Sequence, residues 1–281
     1  MKNVIVGIDF SECSLNAMHH AVSLADKFEA RLTLLFVIAP DAKALVGEDT
    51  ITTNIIAIVE PKLKALQKEC LKKMHNPNVE YKIRIGKISR ELSAEATEQG
   101  DAFIVVGTHG CSGFEEVFIG TSAFKTIEAA QCPVLSIRAG RKISKHLTDI
   151  LLIIDDTHET LQKLPIAAEL AQAFQSKLHI VGLYTGNFKT LKATVNAYVQ
   201  IAENYLVNKN LRIESVLVKN TSTKLETVLE QAEKHSVNLI ILMKEIELDG
   251  ENVLGMTPFC ERMVNRSPIP ILALNIKKEI Y

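Results

Sequence analysis

The chain has 281 residues, of which 47% are hydrophobic and 23% are charged. This length predicts two domains that each bury a core, and this composition excludes a disordered or low-complexity chain. The 32 basic and 33 acidic residues leave a net charge of -1, so no overall field favours nucleic acid or an anionic membrane as a partner.

The first half alternates short β-branched runs with segments of helical periodicity. Five strands are predicted, at Val4–Ile8, Leu32–Val37, Val79–Ile85, Phe103–Val106 and Val134–Ile137. Four helices are predicted between them, near Glu12–Phe28, Ile51–Met74, Ser89–Gln99 and Ser122–Ala130. This repeated strand and helix order is typical of a parallel sheet with right-handed crossovers.

The second half repeats the same order of elements. Its predicted strands are Ile150–Ile154, Leu178–Leu183, Leu211–Leu217, Leu239–Leu242 and Ile271–Leu274. Near-continuous apolar strands joined by helices indicate an α/β fold with doubly wound parallel sheets, covered on both faces. In such sheets a ligand binds beyond the carboxyl ends of the strands, where the strand order reverses.

The two halves are a tandem duplication. Asn3–Ile38 aligns without gaps on Asp149–Tyr184, at an offset of 146 residues, and most matched positions are apolar at helical spacing. A period this long indicates two whole domains rather than solenoid repeats. The boundary is predicted in the polar stretch near Lys142, which gives domains 1–141 and 142–281.

A glycine motif follows the fourth predicted strand. Gly107 and Gly110, then Gly120 with Thr121 and Ser122, form the pattern G-x2-G-x9-G-[ST] at the start of the next helix. Glycines let backbone N–H groups approach phosphate oxygens, hydroxyls add donors, and a helix N-terminus adds partial positive charge. Glycines after a strand are also ordinary turn residues, so the prediction of a phosphate site depends on the combination.

Two polar residues follow the first predicted strand. Asp9 is placed to accept a hydrogen bond from a ribose hydroxyl, although Asp9 and Ser11 are also ordinary helix-capping types. The chain lacks both the P-loop pattern and a G-x-G-x-x-G after a strand. A different nucleotide-binding layout is therefore required.

The motifs together resemble the universal stress protein family. The segments that carry the resemblance are Val4 to Ser11, Val105 to Gly113, Gly120 to Ser122 and Cys132 to Leu135. The resemblance covers the first half and reaches the second through the duplication. It implies two adenine nucleotide alpha hydrolase-like sheets with strand order 3-2-1-4-5, packed as a pseudo-twofold pair through their last strands.

The resemblance also implies ATP as the ligand, and Mg²⁺ is considered with it for an electrostatic reason. The nucleotide-binding residues carried over or added beside them are Asp9, Ser11, Val37, Val106, Gly107, His109, Gly110, Gly120, Thr121 and Ser122. Two features depart from the family pattern: Cys111 stands where a basic residue is common, and Glu115 and Glu116 add negative charge. Both raise the cost of binding a triphosphate unless magnesium compensates.

The second half has lost the glycines. Met243 and Ile246 stand in place of Gly107 and Gly110, and Pro258, the counterpart of Ser122, has no N–H to donate. We therefore predict one nucleotide site per chain, in the first half. The second half is expected to be structural or to bind a different ligand.

Three functions compete on the sequence alone. The first is a stress-response protein that binds ATP and acts on an unknown protein partner as a nucleotide-dependent regulator or interaction module. The second is an ATP-hydrolysing enzyme, for which the sequence supplies no catalytic loop. The third is a scaffold or a binder of another small ligand. A monomeric pseudodimer suffices physically, and a further homodimer stays open.

Apolar runs, cysteines and histidines of the sequence bear on localisation and metal binding. The longest apolar runs fall far below the roughly 20 residues of a membrane-spanning helix, and no secretory cleavage site follows Met1. The five cysteines include no C-x-x-C pair, so reduced thiols in the cytoplasm are expected. Adjacent His19 and His20 cannot both point at one ion, and no metal site is predicted.

Overall fold

The protein is described by a computed structural model covering residues 1–39, 48–108, 121–138, 147–186, 188–220, 223–244 and 258–276, without the side chains of 48–52, 121 and 122. The chain divides into two compact units, Met1–Ile143 and Ser144–Tyr281. The boundary predicted near Lys142 falls within residues 139–146, outside the described residues.

The first unit is a five-stranded parallel sheet with helices between the strands. Its strands are β1 (Asn3–Ile8), β2 (Arg31–Ile38), β3 (Val79–Ile85), β4 (Ala102–Gly107) and β5 (Val134–Ile137). Its helices are α1 (Glu12–Lys27), α2 (Glu48–Lys73), α3 (Ile88–Gln99) and α4 (Thr121–Ala129). The strand order is β3-β2-β1-β4-β5, with all pairs parallel, which confirms the predicted order and strand positions.

The continuous apolar strands of this unit are explained by burial on both faces. Central strand β1 pairs with β2 and β4, and α1 and α3 both pack against it. Its residues Val4, Ile5 and Val6 are completely buried, although successive side chains point to opposite faces of the sheet. A run without polar alternation is what a doubly covered strand requires.

The second unit has the same topology. Its strands are β6 (Asp149–Ile154), β7 (Lys177–Thr185), β8 (Arg212–Asn220), β9 (Leu239–Met243) and β10 (Ile271–Leu274). Its α-helices are α5 (Leu164–Phe174), α6 (Lys189–Val207), α7 (Lys224–Lys234) and α8 (Phe259–Arg266). The order is β8-β7-β6-β9-β10 with parallel pairs, so this sheet also follows the predicted order 3-2-1-4-5.

The units differ in the segment after the first strand. In the first unit α1 begins directly at Glu12, whereas the second unit first forms a 3-10 helix, His158–Lys163, and α5 begins only at Leu164. Pro165 lies in the first turn of α5, where its missing N–H leaves no helical bond unmade. A helix that began a turn or more earlier would carry Pro165 in its interior, so the proline limits how early this helix can begin.

Two general features complete the description. Among the described helices, none has the length and apolarity that crossing a membrane requires. Cys70 and Cys132 are thiols without a disulfide, and burial raises their pKa values to about 12 and about 11. Both groups are protonated and unreactive near neutral pH.

Candidate functional site

Asp9 and Ser11 form a tight turn where β1 ends and α1 begins. Ser11 is the N-cap of α1, and its hydroxyl accepts a hydrogen bond from the backbone N–H of Ser14 at 3.1 Å. The Asp9 carboxylate accepts bonds from the Ser11 backbone N–H at 2.9 Å and from its hydroxyl at 2.6 Å. The capping role considered for both residues is therefore present for Ser11, whereas Asp9 holds the capping serine in place.

Strand register brings Val37, Val106 and Gly107 to the same edge of the sheet as Asp9. Ile8, the last residue of β1, lies opposite Phe36 of β2, and Gly107 ends β4 on the other side. Val37 is half-buried, but Val106 is buried in the core, so only its backbone can face a ligand. The switch point of this sheet therefore carries the predicted residues that the structure describes.

Gly107 has a packing role as well as its predicted binding role. A Cβ atom built there would lie 2.8 Å from the backbone carbonyl carbon of Cys13 and 2.9 Å from its oxygen. These are backbone atoms of the first turn of α1, which cannot move aside as a flexible side chain would. The close passage of helix and strand therefore requires glycine at this position.

The rest of the predicted phosphate cradle is only partly covered. His109, Gly110 and Gly120 lie outside the described residues. Thr121 and Ser122 occupy the first two positions of α4, and their side chains are not described. Their backbone position at a helix start matches the predicted one.

An aromatic pair at this edge was missed by sequence reasoning. The rings of Phe10 and Phe36 have centroids 5.6 Å apart, and the ammonium of Lys62 lies 5.5 Å from the Phe10 ring centroid. Phe10 has a φ of 64°, a left-handed conformation that is unusual for a bulky residue. Phenylalanine directly after the strand-end aspartate was the only available signal.

The second unit repeats the turn. The Asp155 carboxylate accepts bonds from the Thr157 backbone N–H at 3.3 Å and from its hydroxyl at 2.6 Å. Because this turn occurs in both units, it is a requirement of the fold and does not by itself indicate a ligand.

Beyond the turn, two lysines distinguish the second unit. Lys224 Nζ lies 3.1 Å from Asp155 Oδ2 and 4.5 Å from the ring centroid of Phe259. Lys163 is only 1% exposed, and its ammonium donates to the hydroxyl of Thr160 at 2.8 Å. Asp155 is therefore ion-paired with Lys224 at the position that corresponds to Asp9 in the first unit.

These groups line a cavity of about 330 Å³ at the carboxyl edge of the second sheet. Apolar side chains of Ile153, Leu242, Met243, Phe259 and Ile276 make up much of its wall. The cavity wall thus combines the ion pair of Asp155 and Lys224 with a largely apolar surface.

Burial and charge shift the pKa values in this cavity in opposite directions. Burial lowers the pKa of Lys163 to about 7, with Lys224 lowering it further and Asp155 opposing the change. Burial alone would raise the pKa of Asp155, but Lys224, Lys163 and hydrogen bonding outweigh it and bring the value to about 2. Asp155 therefore stays ionised at neutral pH, whereas Lys163 gains or loses its proton near neutral pH.

Lys163 was also missed, although the duplication contains the signal. At the offset of 146 residues Lys163 aligns with Ala17, which is completely buried in α1. A lysine at a core position of the duplicated helix is unusual because an unpaired buried charge is costly. The aligned halves could therefore have identified it.

Met243 replaces Gly107 in the second unit. Val6 pairs with Val105 and the corresponding Leu152 pairs with Ile241, so strand register makes the two positions equivalent. Met243 lines the cavity, and the segment facing that strand is the 3-10 helix. Met243 is thus at the predicted position, whereas Ile246, the other predicted replacement, lies outside the described residues.

Residues 1–138 match the universal stress protein family. The first half of this chain belongs to that family. The recognition made from the motifs is therefore confirmed. Universal stress protein MJ0531 of Methanocaldococcus jannaschii is 29% identical over 147 residues, which cover 50% of this chain and 84% of that protein. Universal stress protein YxiE of Bacillus subtilis is 29% identical over 149 residues, covering 49% of this chain and 99% of that protein.

The fold of the whole chain is similar to a solved universal stress protein structure. The protein from Archaeoglobus fulgidus aligns with a TM-score of 0.72 and 16% identity, covering 98% of each chain. At that identity the similarity speaks for the fold alone. Two sheets of one strand order in a single chain make this a tandem protein whose first unit is a universal stress protein domain.

Proposed function

We propose that this chain binds one ATP, with Mg²⁺, at the carboxyl edge of the first sheet and acts as a nucleotide-dependent regulator of a protein partner. The observation that carries the proposal is the meeting of Asp9, Val37 and Gly107 at the switch point of a universal stress protein domain. The glycine motif of the sequence continues from that edge.

Each group has a binding task in this proposal. A carboxylate offers about four acceptor positions, so holding Ser11 and accepting a ribose hydroxyl are compatible at Asp9. Backbone N–H groups of Gly107, Gly110 and Gly120 would donate to phosphate oxygens, joined by the start of α4. The apolar pair Phe10 and Phe36 gives the base a surface on the same edge.

Magnesium enters the proposal for an electrostatic reason. Glu115 and Glu116 stand between the glycines and oppose a polyphosphate. A divalent cation bound to the phosphates reduces this repulsion. Binding rather than catalysis is proposed because the sequence holds no lysine beside the glycines and no kinase catalytic loop.

The second unit is proposed to take a different small ligand or none. Its Asp155 is paired with Lys224, and Met243 fills the glycine position beside a largely apolar cavity. A polyphosphate there would lose both the ribose acceptor and the close backbone approach. One nucleotide per chain follows from this difference between the units.

The test is the stoichiometry of nucleotide. Freshly purified protein is denatured, released nucleotide is identified by mass spectrometry, and ATP binding with Mg²⁺ is measured by calorimetry. We expect one adenine nucleotide per chain, lost in Gly120→Glu and kept in Thr257→Glu, which puts the same charge just before α8. No binding by the wild type, or two nucleotides per chain, would contradict the proposal. A steady turnover of ATP would instead support the hydrolase.

A further inference from the structure

Two histidines and a glutamate meet at the amino end of the second sheet, opposite the cavity edge. His179 on β7 lies directly across from Glu214 on β8, and His235 caps the end of α7. Their nearest ligating atoms lie within 4.8 Å of one another. The ring centroids of His179 and His235 are 4.5 Å apart, and His179 Nδ1 is 3.7 Å from Glu214 Oε2.

Both rings carry a buried nitrogen that the described chain leaves unsatisfied. Neither His179 Nδ1 nor His235 Nε2 has a hydrogen-bond partner among the described residues. His179 is only 4% exposed, so solvent does not readily replace the missing partner. A buried polar atom without a partner is destabilising, and two of them beside one carboxylate indicate a missing ligand.

Asp149 fixes which nitrogen of His179 is available. Its carboxylate lies 2.8 Å from His179 Nε2, so Nε2 carries the proton and Nδ1 presents its lone pair toward Glu214. A carboxylate behind a histidine is the usual outer partner of metal-binding imidazoles, which it orients and makes more basic.

The first unit provides an internal comparison. Strand register and the end of α3 place Thr33, Glu80 and Gln99 at the positions of the cluster. There the Thr33 hydroxyl donates to Glu80 at 2.9 Å and accepts from the Gln99 amide at 2.9 Å. The same three positions are thus bonded directly to each other in one unit, and in the other carry metal-ligand side chains.

We propose that His179, His235 and Glu214 bind one divalent ion of the zinc class, with water as the fourth ligand. Two imidazoles and one carboxylate form a common three-residue set for this ion. Because each bond is about 2 Å long, two ligand atoms on one ion lie at most about 4 Å apart. Glu214, whose side chain is 49% exposed, has room to make the small movement required.

Charged side chains of both signs surround the cluster. Burial lowers the pKa of His235, and the nearby His179, Lys234 and Lys177 lower it further against the opposing effect of Glu214. Neutral imidazole is the form of histidine that binds metal. Lys177 contacts Glu214 Oε2 at 2.5 Å, and this is also the oxygen that faces His179 Nδ1, so the ion must displace Lys177 from it.

The experiment measures metal uptake by the full chain. Protein freed of metal is dialysed against Zn²⁺ and analysed for elements, and Co²⁺ is added as a spectroscopic probe. We expect one ion per chain, with the visible absorption of four-coordinate Co²⁺ bound by nitrogen and oxygen. His235→Asn and Glu214→Gln should each weaken binding at least about 10-fold, the lower limit for loss of an outer partner.

Matched variants separate this site from adventitious binding. Glu80→Gln makes the same change at the equivalent strand position of the first unit. His75→Asn removes a histidine that contacts Asp26 at 2.8 Å. Both should bind Zn²⁺ like the wild type, and far-UV circular dichroism should show all four variants folded. No uptake, equal uptake by His235→Asn and wild type, or a thiolate charge-transfer band with Co²⁺ would overturn the proposal.

Discussion

Lys163 is a cation held almost entirely away from water, and the fold tolerates it through Asp155 and Thr160. The pKa of Lys163 falls from 10.5 to about 7 because burial disfavours its charged form. Between these two pH values the unfolded chain holds a proton that the native chain lacks. The contribution of Lys163 therefore makes stability rise as pH increases from about 7 to about 10.5.

Replacing Lys163 with methionine should stabilise the protein near neutral pH. Lys163→Met keeps an unbranched apolar chain and removes the amine, so the free energy of unfolding should rise by roughly 2–4 kcal/mol near pH 7. The gain should shrink toward pH 10.5. Urea unfolding across this range measures the effect, with exposed Lys189→Met as control. A gain that is constant with pH would contradict the assignment.

Gly107 allows a prediction about crowding. Gly107→Ala should lower the free energy of unfolding by about 1–3 kcal/mol, because its Cβ would meet the backbone of Cys13 at 2.8 Å. Gly7→Ala is the matched control, since its Cβ would meet Leu92 at an ordinary 3.4 Å. Urea unfolding measures the free energy of unfolding of both variants. If the two substitutions lower it equally, close packing does not explain the glycine at position 107.

At the scale of elements, a buried carboxylate links β3 to α3. Glu95 is fully buried and contacts Lys82 at 2.6 Å, Arg84 at 2.5 Å and the Gln99 amide at 2.5 Å. Burial alone would raise the pKa of Glu95, but bonds from Lys82, Gln99 and Arg84 outweigh it and lower the value. The stabilisation is therefore complete above pH 4.5 and is lost as pH falls through the lowered value.

Removing the charge of Glu95 should lower the free energy of unfolding more at neutral pH than in acid. Glu95→Gln should destabilise by roughly 1.5–3 kcal/mol near pH 7, because charge-assisted bonds are lost. The difference from wild type should narrow below about pH 4.5. Glu98→Gln, at an exposed partner of Arg84, should cost less than about 1 kcal/mol. Chemical unfolding at several pH values measures the free energy of unfolding of wild type and Glu95→Gln. A difference between the two that does not change with pH would contradict this account.

The strands could be predicted from the sequence because burial on both faces produces continuous apolar runs. The turn at Asp9 and Ser11 was also readable, since capping chemistry is local. Phe10 and Phe36 meet only through the register of two strands, and no local rule gives phenylalanine a positive φ. His179 and His235 lie 56 residues apart on different elements, so no spacing motif could reveal their contact.

For the whole molecule, nucleotide should act on one unit. Hydrogen exchange of the full chain with ATP and Mg²⁺ should show protection in peptides from β1 to α1 and from β4 to α4, because ligand binding opposes local opening. Gly120→Glu should abolish that protection. Equal protection around β6 and β9 would contradict the assignment of one nucleotide site per chain.

The same scale explains what the duplication could and could not predict. Equal topology followed from aligned apolar positions, and loss of the cradle followed from Met243. The cavity lined by Lys163, Lys224 and Asp155 could not be predicted, because it depends on how separate segments pack in three dimensions. Side chains that meet across separate elements are fixed by packing and not by any local pattern.

The replacement of Gly107 by Met243 makes the divergence of the two halves difficult to reverse. Restoring glycine at position 243 would free space at the strand end, but Pro165 would still prevent a continuous helix from filling it. Lys163 would also still occupy the position of a small buried residue. At least three coordinated substitutions separate the second half from the arrangement of the first, so single-step mutation cannot recover it. The two halves of such a chain therefore stay different under any single substitution.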